Sequence, residues 1–344
     1  MLTKALDLVA RLNGPAPSFV IAEGADAHYG DMDRAMAMIT AAQHAGADAI
    51  KFQHHLPDEE MLPDIPMSSN MAVPLYEFLK QNALTIDQHR QLFEYATECG
   101  ITYLCTPFSW VAAKELEAAI NLPAYKIGSG EFTDTPTLER IASFGKPMIL
   151  STGMSNVEEI DFVYEFMCNL DIPFALMNCT SAYPPSATDI ALGFIPRMIE
   201  RYPRAWIGHS DHMPGTVTAV GAIALGAKLV EKHVTIDPNL TGPDADVSIT
   251  FDELKHLVEA ADILNDASGA EKVIHDSEIS IRSWARRSLV YLRSLEAGSV
   301  VTEGDIWGKR PGTGVPSFKI AEFYGRSLTR SVSKNSLLSE LDFS

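Results

Sequence analysis

The sequence predicts an α/β protein: a (β/α)₈ TIM barrel followed by a small β-rich domain. Three observations carry this expectation. Eight short apolar runs recur over roughly 250 residues, each followed by a stretch with helical spacing. No Gly-x-Gly-x-x-Gly follows the first run, as an open dinucleotide-binding sheet would require. After Leu264 the rhythm changes to polar residues and then to short alternating stretches.

A lead with Pro15 and Pro17 precedes the first predicted strand, residues 19–23, and a helix over 31–44 that Gly46 closes. A strand at 49–53 then meets a polar, Pro- and Met-rich excursion over 54–75, whose length marks it as disordered or functional. A helix at 86–99 ends at Gly100. The alternation continues with strands at 102–106, 124–128, 147–152, 174–178 and 206–211. Helices are predicted at 110–119, 136–144, 157–167, 190–202 and 217–225. The eighth strand, 229–237, precedes a helix over 251–264. The chain divides into a barrel over 1–268, a linker over 269–284 and a β-rich domain over 285–344. That last domain has strand-like runs at 287–293 and 300–302 and a turn-rich 310–315.

Hydrophobic residues make up 46% of the 344, enough for a sizeable core. Against 45 acidic residues stand 27 basic ones, a net charge of −18 at pH 7. General nucleic-acid or membrane-surface binding needs a basic face and is not expected. A small anionic substrate remains compatible, because a pocket can be locally positive. Cys99, Cys105, Cys168 and Cys179 lack metal-type spacing and read as reduced core thiols. Residues 1–6 lack the apolar region of a signal peptide, and no apolar run approaches a membrane span. A cytoplasmic location is expected.

In such a barrel the chemistry sits at the C-terminal ends of the strands. Polar residues collect there: Glu23, Lys51, Gln53, Thr106, Lys126, Ser129, Glu131, Ser151, Thr152, Asn178, Tyr183, Ser210, His212, Glu231 and His233. Glu231 and His233 are two apart in the eighth strand and share a side, while Lys232 faces the other. Buried polar groups are costly without partners. Lys51, Lys126, Ser129, Ser151 and Gln53 suit a phosphate or carboxylate. His212 and His233, from adjacent strands, suit Mn²⁺ or a similar divalent ion, with Glu231 as outer-shell support. His209 lies deeper and is the weaker ligand candidate.

These residues fall in motifs that resemble the sialic acid (nonulosonic acid) synthase family. The motifs are Ile21-Ala22-Glu23, His28-Tyr29-Gly30, residues 46–53, Thr106-Pro107-Phe108 and residues 125–131. They continue with Ser151-Thr152-Gly153-Met154, Ser210-Asp211-His212, Glu231-Lys232-His233 and Gly242-Pro243-Asp244. The tail, with residues 309–314, resembles the family's antifreeze-like SAF (β-clip) domain. The resemblance implies a transferase that condenses phosphoenolpyruvate with an N-acylated amino sugar. Lys51, Gln53, Thr106, Lys126, Ser129, Ser151 and Ser210 would bind phosphoenolpyruvate. Glu131, Lys51, Lys126 and Glu23 would be catalytic. Glu23, Tyr183, Asp244 and Arg310 would hold the sugar. His212 and His233 would bind the metal, Mn²⁺ first, with Mg²⁺ or Co²⁺ as alternatives. A homodimer is implied, in which the SAF domain of one subunit caps the barrel of the other and brings Arg310 to it. Ala27, Ser181 and Ala245 depart from the family's usual residues toward the sugar, so the sugar itself is left open. Two rival readings stand beside this one: a lysine Schiff-base pyruvate aldolase using Lys126, and a non-catalytic sugar-binding protein.

Overall fold

The structure, a computed structural model, describes residues 8–65, 73–239, 242–269 and 271–344. Eight strands form one parallel sheet: β1 (Phe19–Ala25), β2 (Ala49–His54), β3 (Thr102–Pro107), β4 (Tyr125–Ile127), β5 (Met148–Ser151), β6 (Phe174–Cys179), β7 (Trp206–Asp211) and β8 (Leu229–His233). The order is β3-β2-β1-β8-β7-β6-β5-β4, and β3 lies beside β4, which closes the ring. This is the expected (β/α)₈ barrel.

Strand alternation builds two cores. Residues facing outward, such as Val20, Ile50, Tyr103, Tyr125, Leu150, Leu176, Ile207 and Val230, are buried against the surrounding helices. Residues facing inward at the N-terminal end, including Phe19, Ile21, Ala49, Leu104, Ala124, Ile149, Ala175, Met177 and Leu229, fill the barrel floor. A short helix, Leu8–Asn13, adds Leu8 and Leu12 to that floor.

Helix ends follow local chemistry. Asp31 caps helix Met32–Ala45, and Gly46 ends it at φ 84°, a left-handed conformation that glycine adopts without strain. Thr85 with Gln88, Asn156 with Glu159 and Thr250 with Glu253 form capping boxes. The excursion after β2 is not a structureless loop. It holds helices Pro57–Glu60 and Leu75–Asn82, while residues 66–72 lie outside the described residues, as do residues 1–6 of the leader.

The chain separates into two compact units, Met1–Gly269 and Ala270–Ser344. The second begins with helix Asp276–Ala285, where the sequence suggests only a linker. Its sheet is an antiparallel pair, β9 (Ser288–Tyr291) and β10 (Ile306–Lys309). Residues 300–302 contribute one bridge, Val300 to Ser327, rather than a strand. Leu289, Tyr291, Val301, Ile306, Phe323 and Leu328 make this unit's own core.

Candidate active site

Parity sets which side chains enter the barrel. On β2, Ala49 at the floor shares its face with Lys51 and Gln53, and on β8, Leu229 shares its face with Glu231 and His233. The register sets Glu23 of β1 level with Lys51 on one side and His233 on the other. Ser210 of β7 is level with Cys179 and Glu231. The interior is therefore apolar at the floor and polar at the C-terminal mouth. There the side chains line a cavity of about 340 Å³, within the range of small-molecule sites.

Two lysines form its floor. Lys51 Nζ donates to Thr106 Oγ1 at 2.9 Å and is ion-paired with Glu23. Lys126 Nζ donates to Ser151 Oγ at 2.7 Å. Glu231 lies between them, 3.6 Å from each ammonium, and accepts from Ser210 Oγ at 3.0 Å. Burial disfavours charge on Lys51, but Glu23 and Glu231 outweigh it and raise its pKa. Burial opposes ionisation of Glu231 too, yet Lys126, Lys51 and Ser210 hold its carboxyl below the usual range. Glu231 is thus a counter-ion to the lysines, not the outer-shell support of a histidine that sequence spacing suggests.

His212 and His233 meet across the same cavity, their ring centroids 5.3 Å apart. His212 Nδ1 donates to the Thr180 carbonyl oxygen at 2.8 Å and Nε2 lies 3.3 Å from Tyr183 Oη; burial opposes charge on the ring, but Cys179 and the Thr180 carbonyl outweigh it and raise its pKa. That backbone contact is how metal-ligating histidines are usually oriented. Burial first, then His212 and the surrounding lysines, keep His233 well below its ordinary pKa. A neutral imidazole is the form that binds metal. Among the described residues no group of three or more His, Cys, Asp or Glu side chains is placed to hold an ion. A divalent ion held by the pair would therefore need water or substrate oxygens to complete its shell.

The remaining predicted residues divide. Gln53, Ser129 and Tyr183 line the cavity. Glu131 sits behind Gly128, close enough that a β-carbon there would lie 2.5 Å from its Oε2, and burial pushes its carboxyl up to about 7. Asp244 Oδ2 lies 3.7 Å from His233 Nδ1 and borders a small adjoining cleft, and burial raises it as well to about 7. Ala27 and Ala245 line that same cleft, while Ser181 lines the main cavity. Arg310 belongs to the second unit, where its guanidinium lies over the Trp284 ring at 5.2 Å and Nε donates to the Ala285 carbonyl at 3.1 Å. Asn178 and His209 face out of the barrel: Asn178 donates to the Ile190 carbonyl at 3.0 Å, and His209 Nδ1 donates to the Asn178 carbonyl at 2.9 Å. Cys179 is the inward residue at the C-terminal end of β6, its Sγ 4.0 Å from His212 Nδ1. Alternation from Ala175 and Met177 carries that signal in the sequence, but the apolar surroundings mask it as a core thiol. Phe108 and Met154 also line the cavity.

A model of the NeuB family matches residues 38–273, and a model of the SAF domain matches residues 286–344. The chain is 33% identical over 350 residues to an N,N'-diacetyllegionaminic acid synthase of Legionella pneumophila, covering 95% of this chain and 97% of that one. It is 32% identical over 352 residues to a pseudaminic acid synthase of Campylobacter jejuni, covering 97% and 99%. Its fold is similar to the crystal structure of the N-acetylneuraminic acid synthetase of Leptospira borgpetersenii in complex with citrate. The TM-score is 0.70 at 29% identity, over 78% of this chain and 91% of that one.

Proposed function

The chain belongs to the NeuB family of nonulosonic acid synthases and is an enzyme of the transferase type, and from that premise we propose that it condenses phosphoenolpyruvate with an N-acylated amino sugar. One observation carries this reading: two lysine–hydroxyl pairs, Lys51 with Thr106 and Lys126 with Ser151, face a histidine pair across a single cavity. Cationic ammonium groups beside hydroxyls are the chemistry of a phosphate and a carboxylate. In this reading Lys51, Gln53, Thr106, Lys126, Ser129, Ser151 and Ser210 hold phosphoenolpyruvate. Its methylene carbon bonds to the aldehyde carbon of the open sugar, water adds at the adjacent carbon, and phosphate leaves.

His212 and His233 would hold a divalent ion, Mn²⁺ first. When bound, such an ion polarises the aldehyde oxygen as a Lewis acid. Glu131, raised to about 7, is poised near neutrality to exchange a proton with the attacking water and to balance the positive charge that develops on the enol carbon. Glu23, Tyr183 and Asp244 would hold the sugar. Arg310 would reach the acyl group from the tail of a second subunit, in a homodimer whose small unit excludes water from the barrel mouth. What supports the dimer is helix Asp276–Ala285, which buries no residue and exposes Ile279, Ile281 and Trp284. A cytoplasmic setting fits the four free thiols.

The test is release of inorganic phosphate from phosphoenolpyruvate, dependent on both an amino sugar and a divalent ion. Burial lowers the pKa of Lys126, which favours the Schiff-base aldolase as the second reading. Activity with pyruvate, without metal and trapped by borohydride, would select that alternative. His212→Ala and His233→Ala should each abolish Mn²⁺ binding by calorimetry and turnover, with the circular dichroism spectrum unchanged. Full turnover in either variant removes the metal assignment.

A further inference from the structure

Behind the Gln53 edge of the cavity lies a buried imidazole that follows β2. His55 is 7% exposed, and its ring stacks on Phe108 with centroids 4.2 Å apart. Its Nδ1 faces both carboxylate oxygens of Glu60, at 3.0 and 3.2 Å. Its Nε2 faces Gln53 Oε1 at 2.9 Å, and Gln53 Nε2 in turn donates to Glu23 Oε1 at 2.9 Å. Asp26 Oδ2 lies 3.9 Å from the same Nε2.

The donors and acceptors of this chain are forced from its two ends. Burial and Glu231 raise the Glu23 carboxyl, but the Lys51 ammonium is ion-paired with it and Lys126 adds a second positive charge, so its oxygens accept. Gln53 must therefore turn its amide nitrogen to Glu23, because the reverse orientation would set a carbonyl oxygen against a carboxylate. That leaves Gln53 Oε1 facing His55, so Nε2 of His55 carries a proton. The Glu60 carboxylate requires a proton on Nδ1 by the same logic. An imidazole that donates from both nitrogens is an imidazolium. Its surroundings agree: burial alone would lower the pKa of His55, but Glu60 and Asp26 raise it.

We infer that His55, held as a cation by Glu60, is a positioning residue of this enzyme: it locks the Gln53 amide in the one orientation that supports Glu23. His55 does not line the cavity and acts through Gln53, which does. Glu60 ends the first helix of the excursion after β2, so this part of the excursion serves the site. The kinetic consequence rests on the roles proposed above for Gln53 and Glu23; the charge state of His55 does not.

Two measurements on the full-length protein separate these. With ¹⁵N-histidine labelling and assignment by loss of the signal in His55→Gln, both ring nitrogens of His55 should be protonated at pH 7. A single protonated nitrogen overturns the inference, whether or not the protein makes a nonulosonic acid. Glu60→Gln is close in size to the native residue and removes the charge that holds the second proton on His55, so it loosens the lock without emptying the site: a neutral ring can offer Gln53 either a donor or an acceptor. It should lower kcat by about 10- to 100-fold with the native far-ultraviolet spectrum kept. In a Gln53→Ala background the same change should cost less than about twofold, because its effect passes through that amide. An equal penalty in both backgrounds, or no penalty in the wild-type background, overturns the positioning role. A wild-type protein that turns over no phosphoenolpyruvate removes the proposed function and leaves the nitrogen measurement to decide the charge of His55.

Discussion

Glu231 is where the two halves of the site meet. It is 4% exposed and stands 3.6 Å from two buried ammonium groups. Removing one partner of a buried ionic cluster leaves uncompensated charge. Glu231→Gln should therefore destabilise the ligand-free protein by about 3 kcal/mol in urea unfolding. Inorganic phosphate should raise the variant's midpoint more than that of wild type, because the anion replaces the lost counter-charge. Asp244 gives a pH-dependent counterpart. Its carboxyl is raised from 3.8 to about 7, chiefly by burial. Between those values the native state keeps a proton that the unfolded chain has released, so stability falls as pH rises through that window. Asp244→Asn lacks this titration. The stability of metal-free wild type relative to the variant should drop by on the order of 3 kcal/mol from pH 4 to 7 and stay level above. A flat difference across that range would show that Asp244 is not held as a neutral acid. Residue identities at the mouth were legible in sequence, but their partnerships were not. Spacing pairs Glu231 with His233 on one strand, whereas the neighbouring strands give its carboxylate to Ser210 and the lysines.

At the scale of elements, the barrel strands hold their register by close packing as well as by hydrogen bonds. Gly208 of β7 faces the interior, and a β-carbon there would lie 2.8 Å from the Leu229 carbonyl oxygen of β8 and 3.3 Å from Met177 Cε. Backbone cannot give way as a flexible side chain can. Gly208→Ala should cost about 1–3 kcal/mol in urea unfolding. Gly193→Ala, with nothing within 4 Å of its added carbon, should change stability by less than about 0.5 kcal/mol. An equal effect at both would show that lost backbone freedom, and not contact between strands, sets the response. The long periodic elements could be read in sequence because each carries its own punctuation. Helix Ile86–Cys99, for example, opens with Thr85 and Gln88 and closes on Gly100. Helices Pro57–Glu60 and Asp276–Ala285 could not. Pro57–Glu60 is too short to show a period, and in Asp276–Ala285 the two isoleucines, Ile279 and Ile281, lie two apart, a strand-like spacing.

At the scale of the whole molecule, the chain forms two units with separate cores. The barrel has its own floor and outer layer, and residues 270–344 have theirs. Deleting residues 270–344 should leave a barrel that melts cooperatively with a native far-ultraviolet spectrum. Synthase turnover should be lost, because Arg310 and the proposed cap go with the deleted segment. A truncated barrel with full activity would remove the lid role. By itself, the sequence determined the eightfold alternation, the polar mouth and the residues with which the family is written, because periodicity and side-chain chemistry are local. Only the tertiary structure decided which of those groups touch. It placed Lys51 and Lys126 on one carboxylate, turned Asn178 and His209 away from the cavity and set Cys179 inside it. It also brought Glu60 back from the excursion to make His55 a donor at both nitrogens. Those outcomes depend on strand register and on contacts between segments, and no local pattern along the chain encodes either.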